Sequence, residues 1–122
     1  MAKNYVQTGN CLDYTNAGAD IASGSVVVMG GTLGVALDAI PSGEAGVVQI
    51  TGVFSLPKVS GAVIAQGESL VWDASAGAFD DNQATPATGD VSGAAAVAAE
   101  AAGDGATTIA VRLTGVAGTV AA

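Results

Sequence analysis

The side chains most able to do chemistry here are carboxylates, gathered in Asp80-Asp81-Asn82 and again in Asp13, Asn16 and Asp20. Oxygen donors of this type bind hard cations such as calcium. Neither group follows the regular ligand spacing of a dedicated calcium loop. Asp and Asn also cap their own backbone in turns, so these residues are read as turn formers and no metal is expected. A glycosidase-like pair would need one acid held in an apolar pocket, and nothing in the sequence marks such a pocket. The chain has no histidine, which removes the commonest general base and the commonest transition-metal ligand. Cys11 is the single cysteine. It has no Cys–His pairing and cannot close an intramolecular disulfide, and reads as a small apolar residue in or beside a strand. Gly30-Gly31-Thr32-Leu33-Gly34 lacks the Lys-Ser/Thr ending of a phosphate-binding loop and precedes a strand, so it reads as a hairpin turn. Trp72 has the ring of a stacking platform, but beside Leu70 in a β pattern it reads as the main core anchor. No catalytic residue and no cofactor-binding residue emerges.

The elements around these residues follow a period of two. From Val47 to Leu56 the positions Val48, Ile50, Phe54 and Leu56 are apolar and alternate with Gln49, Thr51 and Ser55, the pattern of a half-buried strand. Pro57 lacks the N–H that a central ladder needs, so the chain leaves the sheet there or runs along an edge. Gln66-Gly67-Glu68 turns into a short strand Ser69 to Asp73, closed by the small residues Ala74 to Gly77. Further strands are expected at Tyr5 to Leu12, at Ser25 to Met29, and at Thr32 to Leu37 with Leu33, Val35 and Leu37 on one face. The last, Thr107 to Leu113, points Ile109, Val111 and Leu113 inward and Thr108 and Arg112 outward. Turn signals recur every ~8–12 residues, the spacing of an all-β sandwich or barrel rather than of βαβ units.

The run Ser92 to Ala102 is the ambiguous segment, because its alanines carry the highest helix propensity in the chain. A helix of about ten residues is marginal in isolation, and Gly93 and Gly103-Asp104-Gly105 bracket the run with strand and hairpin punctuation.

Composition bounds the rest. A chain of 122 residues accommodates one domain, 1–122, with a modest core. Aromatic residues are scarce, one Trp, two Tyr and two Phe, so valine and alanine must supply most of the buried area. A mean hydropathy of +0.52 favours folding over disorder. With a net charge of −8 and only three cations, Lys3, Lys58 and Arg112, the chain lacks the electrostatic footprint of a nucleic-acid binder. Met1 to Tyr14 has no apolar core of a signal peptide. No apolar run approaches the ~20 residues of a membrane span, so no membrane partner is expected.

Several of these features together carry a family resemblance. Met1-Ala2-Lys3-Asn4-Tyr5-Val6-Gln7, Gly34-Val35-Ala36 with Gly43-Glu44-Ala45-Gly46, Gly52-Val53-Phe54-Ser55-Leu56-Pro57-Lys58, Val71-Trp72-Asp73 and Val111-Arg112-Leu113 resemble the small Gly/Ala-rich capsid decoration, or cement, proteins of tailed phages. The segment Gln83 to Val91 is longer and more polar than the connection this family suggests, and Val116 to Ala122 extends past the expected end as a tail. The matching residues are turn and core positions, so they speak for architecture more than for activity.

The resemblance implies a compact single-domain β-sandwich or barrel of short antiparallel strands, with a strand rather than a helix at 92–102. It implies a structural protein, not an enzyme, on the outside of an icosahedral capsid. Its partners would be the major capsid protein and two further copies in a homotrimer; synthesis would take place in the host cytoplasm. The alternative class is a β adhesion module recognising a carbohydrate or a host surface. Ala2, Lys3, Asn4 and Tyr5 are the candidate capsid contact, an N-terminal arm that places a rare cation beside an amphipathic ring. Tyr5 reads equally as the start of the first strand, packed inside.

Overall fold

The computed structural model describes residues 9–121. Among them the regular elements are all strands: β1 (Cys11–Thr15), β2 (Val26–Met29), β3 (Thr32–Ala36), β4 (Ala45–Gln49), β5 (Thr51–Pro57), β6 (Val71–Asp73), β7 (Ala78–Asp80), β8 (Val91–Ser92), β9 (Ala96–Ala98), β10 (Thr108–Thr114) and β11 (Thr119–Val120). They form three antiparallel sheets in the orders β1-β4-β3-β2, β5-β10-β9 and β11-β8-β6-β7. No sheet closes into a barrel.

The main core lies where the three sheets meet. Leu33 and Val35 come from the first sheet, Leu56, Ile109, Val111 and Leu113 from the second, and Trp72, Phe79 and Val91 from the third. Ala62, Ile64 and Leu70 fill the gaps from the connecting segments. A second cluster of Val27, Ala36, Ile40, Val48 and Ile50 forms on the other face of the first sheet, with Leu12, Tyr14, Ile21 and Met29 partly buried against it. Splitting the core this way fits a sequence poor in aromatics: short side chains fill two thin layers better than one thick one.

The expected strand from Val47 to Leu56 is two strands of two different sheets. Only Ile50 separates β4 from β5, and Gly52 follows with φ of +117°, a conformation that glycine adopts without strain. Val48 and Ile50 therefore enter the second cluster, while Phe54 and Leu56 face the main core. The alternation was legible, but period alone does not say which sheet receives each half. Pro57 ends β5, whose only strand partner among the described residues is β10.

Three other expectations shift. The first described strand begins at Cys11 and runs to Thr15; the part of the expected strand from Tyr5 to Thr8 lies outside the described residues. Leu37 does not share the buried face of Leu33 and Val35; it follows the end of β3 and is 42% exposed. The expected tail 116–122 contributes β11, which pairs Thr119 with Ser92 and Val120 with Val91. Gly118 makes that pairing possible, because a Cβ there would collide with the Ser92 carbonyl.

Within the alanine run, Ala96–Ala98 form the strand β9, and no helix forms over residues 92–102. The Leu70 amide donates to Ala96 O at 3.0 Å, the Ala98 amide to Glu68 O at 2.9 Å and the Ala99 amide to Ala110 O at 2.9 Å. Hydrogen bonds on both edges outweigh local helix propensity. Ala96 and Ala98 are fully buried, where larger side chains would have no room.

Candidate functional site

Most of the groups that sequence chemistry singled out help to hold the fold, while Asp13 stands exposed on β1. Asn16, 2% exposed, donates from Nδ2 to Ala19 O at 2.7 Å and Ile40 O at 2.9 Å, and its Oδ1 accepts from the Gly18 amide. Asp20 Oδ1 accepts from the Ser42 amide at 2.8 Å. Asp80 and Asp81 each cap nearby backbone, accepting from the amides of Asp81 and Gln83 respectively. Among the described residues no three metal-ligating side chains converge. Gly30, with φ of +61°, turns β2 into β3. Trp72 is 8% exposed within the main core. Cys11 is half-buried on β1. The candidate contact Ala2, Lys3, Asn4 and Tyr5 lies outside the described residues.

Two buried charged residues gave no signal in the sequence. Lys58, 4% exposed, continues from β5 and donates from Nζ to Val59 O at 2.8 Å, Ala106 O at 3.2 Å and Ser60 O at 3.5 Å. It pins the loop after β5 to the turn before β10. Asp90, 5% exposed, accepts from the Ala74 amide on Oδ1 at 3.0 Å and from the Ala87 amide on Oδ2 at 3.0 Å. Both charges are matched to backbone dipoles, which is what burial demands of them. The polar segment Gln83 to Val91 thereby carries its own anchor in Asp90.

A cleft of about 290 Å³ opens between Ser23, Ser25, Val26, Pro57, Trp72 and Gly77. No charged side chain lines it, and Ser23 Oγ already donates to Leu37 O. Such walls offer little to orient a ligand.

Surfaces are therefore the better candidates. The outer face of the sheet β5-β10-β9 is open to solvent at Val53, Ser55, Pro57, Thr108 and Arg112. Register sets Val53 opposite Arg112, and Arg112 opposite Val97, in one row across the three strands. Val53 is 59% exposed and Arg112 is exposed beside it. Ser55, Ala110 and Pro57 flank this row on the same face.

Comparison with family models matches residues 6–113 to the phage cement proteins. The chain belongs to the phage cement protein family. The match spans β1 through nearly all of β10, so it covers both core clusters and every strand of the three sheets except β11. A comparison with curated proteins finds no match. A phage cement protein is a structural component associated with the capsid.

Proposed function

We propose that this cement protein binds the outer surface of a tailed-phage icosahedral capsid and reinforces the shell against internal DNA pressure. The observation that carries this reading is the family match over residues 6–113. The residue chemistry is consistent with it, because the buried polar groups serve the fold and the work is left to contact area. The partner is the major capsid protein. The assembled form is a homotrimer at threefold positions: a core of short side chains buries little area per copy, and association adds what the monomer lacks. Ala2, Lys3, Asn4 and Tyr5 contribute an arm to the capsid contact.

The test is addition of the purified protein to undecorated capsids. Saturation near the stoichiometry of the shell, with a higher temperature of capsid disruption, supports the proposal. Binding at a few positions only would favour an adhesion module, and absence of binding would remove the decoration role.

A further inference from the structure

We propose that the outer face of the sheet β5-β10-β9 is the surface that seats the protein on its capsid, with Arg112 at its centre receiving a carboxylate of the capsid protein. The inference rests on the decoration role and adds to it the surface and the chemistry of the partner.

Charge distribution selects this face. The chain carries eleven acids against three cations. Asp13, Asp20, Asp38 and Glu44 lie on or beside the first sheet, and Asp73, Asp80, Asp81 and Asp90 on or beside the third. Glu68, which meets the edge of β9, and Glu100 and Asp104, between β9 and β10, flank the second sheet without standing on its strands. The outward positions of β5, β9 and β10 hold no acid. Arg112 is the one exposed cation among the described residues, since Lys58 is buried. Among these residues it has no hydrogen-bonding or ion-pair partner. A guanidinium between Val53 and Val97 has apolar neighbours that will exclude water once a partner is in place. There its planar fork is matched to a carboxylate, which it binds through two parallel hydrogen bonds. The partner surface is therefore an acid ringed by apolar side chains.

Area selects the capsid over a second copy. Two seven-residue strands and the three-residue β9 make a face of at most roughly 24 by 14 Å, under about 350 Å². A stable pairwise interface needs about 800 Å² per partner. A shell lattice relaxes that demand, because several copies joined in one assembly bind together and their contacts multiply. The edge adds hydrogen-bonding capacity. Ala110 and Thr114 direct backbone groups to β9, so Ile109, Val111 and Leu113 face β5, and the amides and carbonyls of Val53 and Ser55 point away from the sheet.

The experiment measures binding to undecorated capsids and, in parallel, oligomeric state by light scattering, for wild type, Arg112→Glu, Arg112→Lys, Val53→Asp and Val47→Asp. Arg112 and Val53 are exposed, and melting temperature confirms that each variant folds. The expected result is at least tenfold weaker capsid binding for Arg112→Glu and Val53→Asp and a smaller loss for Arg112→Lys. Val47→Asp on the first sheet should bind as wild type does, and oligomeric state should not change. Wild-type affinity in Arg112→Glu and Val53→Asp overturns the proposal while leaving the decoration role intact. A changed oligomeric state in those variants also overturns it, by assigning the face to contacts between copies. Failure of the wild type to bind is the separate result that removes the decoration role itself.

Discussion

Trp72 and Phe79 stand opposite one another on β6 and β7 and meet edge to face, with ring centroids 4.9 Å apart and planes at 62°. They are the two buried aromatic side chains of the main core, with Phe54 partly buried against it. Trp72→Ala therefore costs ~3–5 kcal/mol, read from denaturant titration. Native fluorescence should show the emission of an apolar environment and shift to the red on unfolding.

Glycine at position 34 is required by crowding. A Cβ there would overlap Val48 Cγ1 and stand 3.1 Å from Gln49 O and 3.3 Å from Ile50 Cγ2. Gly34→Ala should destabilise the protein by ~1–3 kcal/mol. A Cβ at Gly61 meets nothing within 4 Å, and Gly61→Ala should stay within about 0.5 kcal/mol of wild type. Paired thermal melts distinguish the two.

Replacing Lys58 with Met keeps the buried stem and removes the ammonium from Val59 O, Ser60 O and Ala106 O. The expected cost is ~1–3 kcal/mol, that of losing hydrogen bonds from a charged donor; Val59 O and Ser60 O keep the amides of Ala62 and Gly105. Hydrogen exchange should locate the loosening at the Gly105 amide, which donates to Ser60 O at 2.6 Å.

Asp73 caps the β6–β7 turn. Its Oδ1 accepts from the Ser75 hydroxyl and from the amides of Ala76 and Ser75, and these bonds hold its carboxyl below the usual aspartate range. A lowered value in the folded state means that the group stabilises the fold at neutral pH. That contribution is full above the ordinary aspartate range and is lost progressively as pH falls from there through the lowered value. The site is open to solvent, so the effect is below about 1 kcal/mol. Asp73→Asn should flatten the acid limb of a stability–pH curve.

Deleting residues 2–4 together with Tyr5→Ala should weaken binding to undecorated capsids and leave the melting temperature unchanged. Unchanged affinity with an intact fold would eliminate the arm. Loss of stability instead would place Tyr5 in the first strand.

Local chemistry was legible wherever one residue decides a backbone shape. Gly30-Gly31 announced its hairpin, Pro57 its strand end, and Ile109, Val111 and Leu113 their inward face. Pairings between distant segments were hidden. Nothing in Thr119-Val120 points to Ser92 and Val91, two short segments joined through the space that Gly118 leaves. Arg112 could be placed outward from its own strand. That Val53 and Val97 would flank it depended on a register set by residues about 59 and 15 positions away, which no local pattern contains. Lys58 was hidden for the opposite reason: its partners are carbonyl oxygens, which every residue has.

The single residue between β4 and β5 has a mechanical consequence. Because Ile50 alone joins the five-residue β4 to the seven-residue β5, a pull between the first and second sheets travels along one almost unbroken length of peptide. The ladders to β1 and β10 lie alongside that length, with hydrogen bonds running across it. Tension along this axis loads those bonds together in shear, whereas force at right angles would peel them apart in turn. Tension applied between residues 45 and 57 is thus borne by two ladders at once, and where the shell takes hold of the domain would determine how much of that resistance the shell receives.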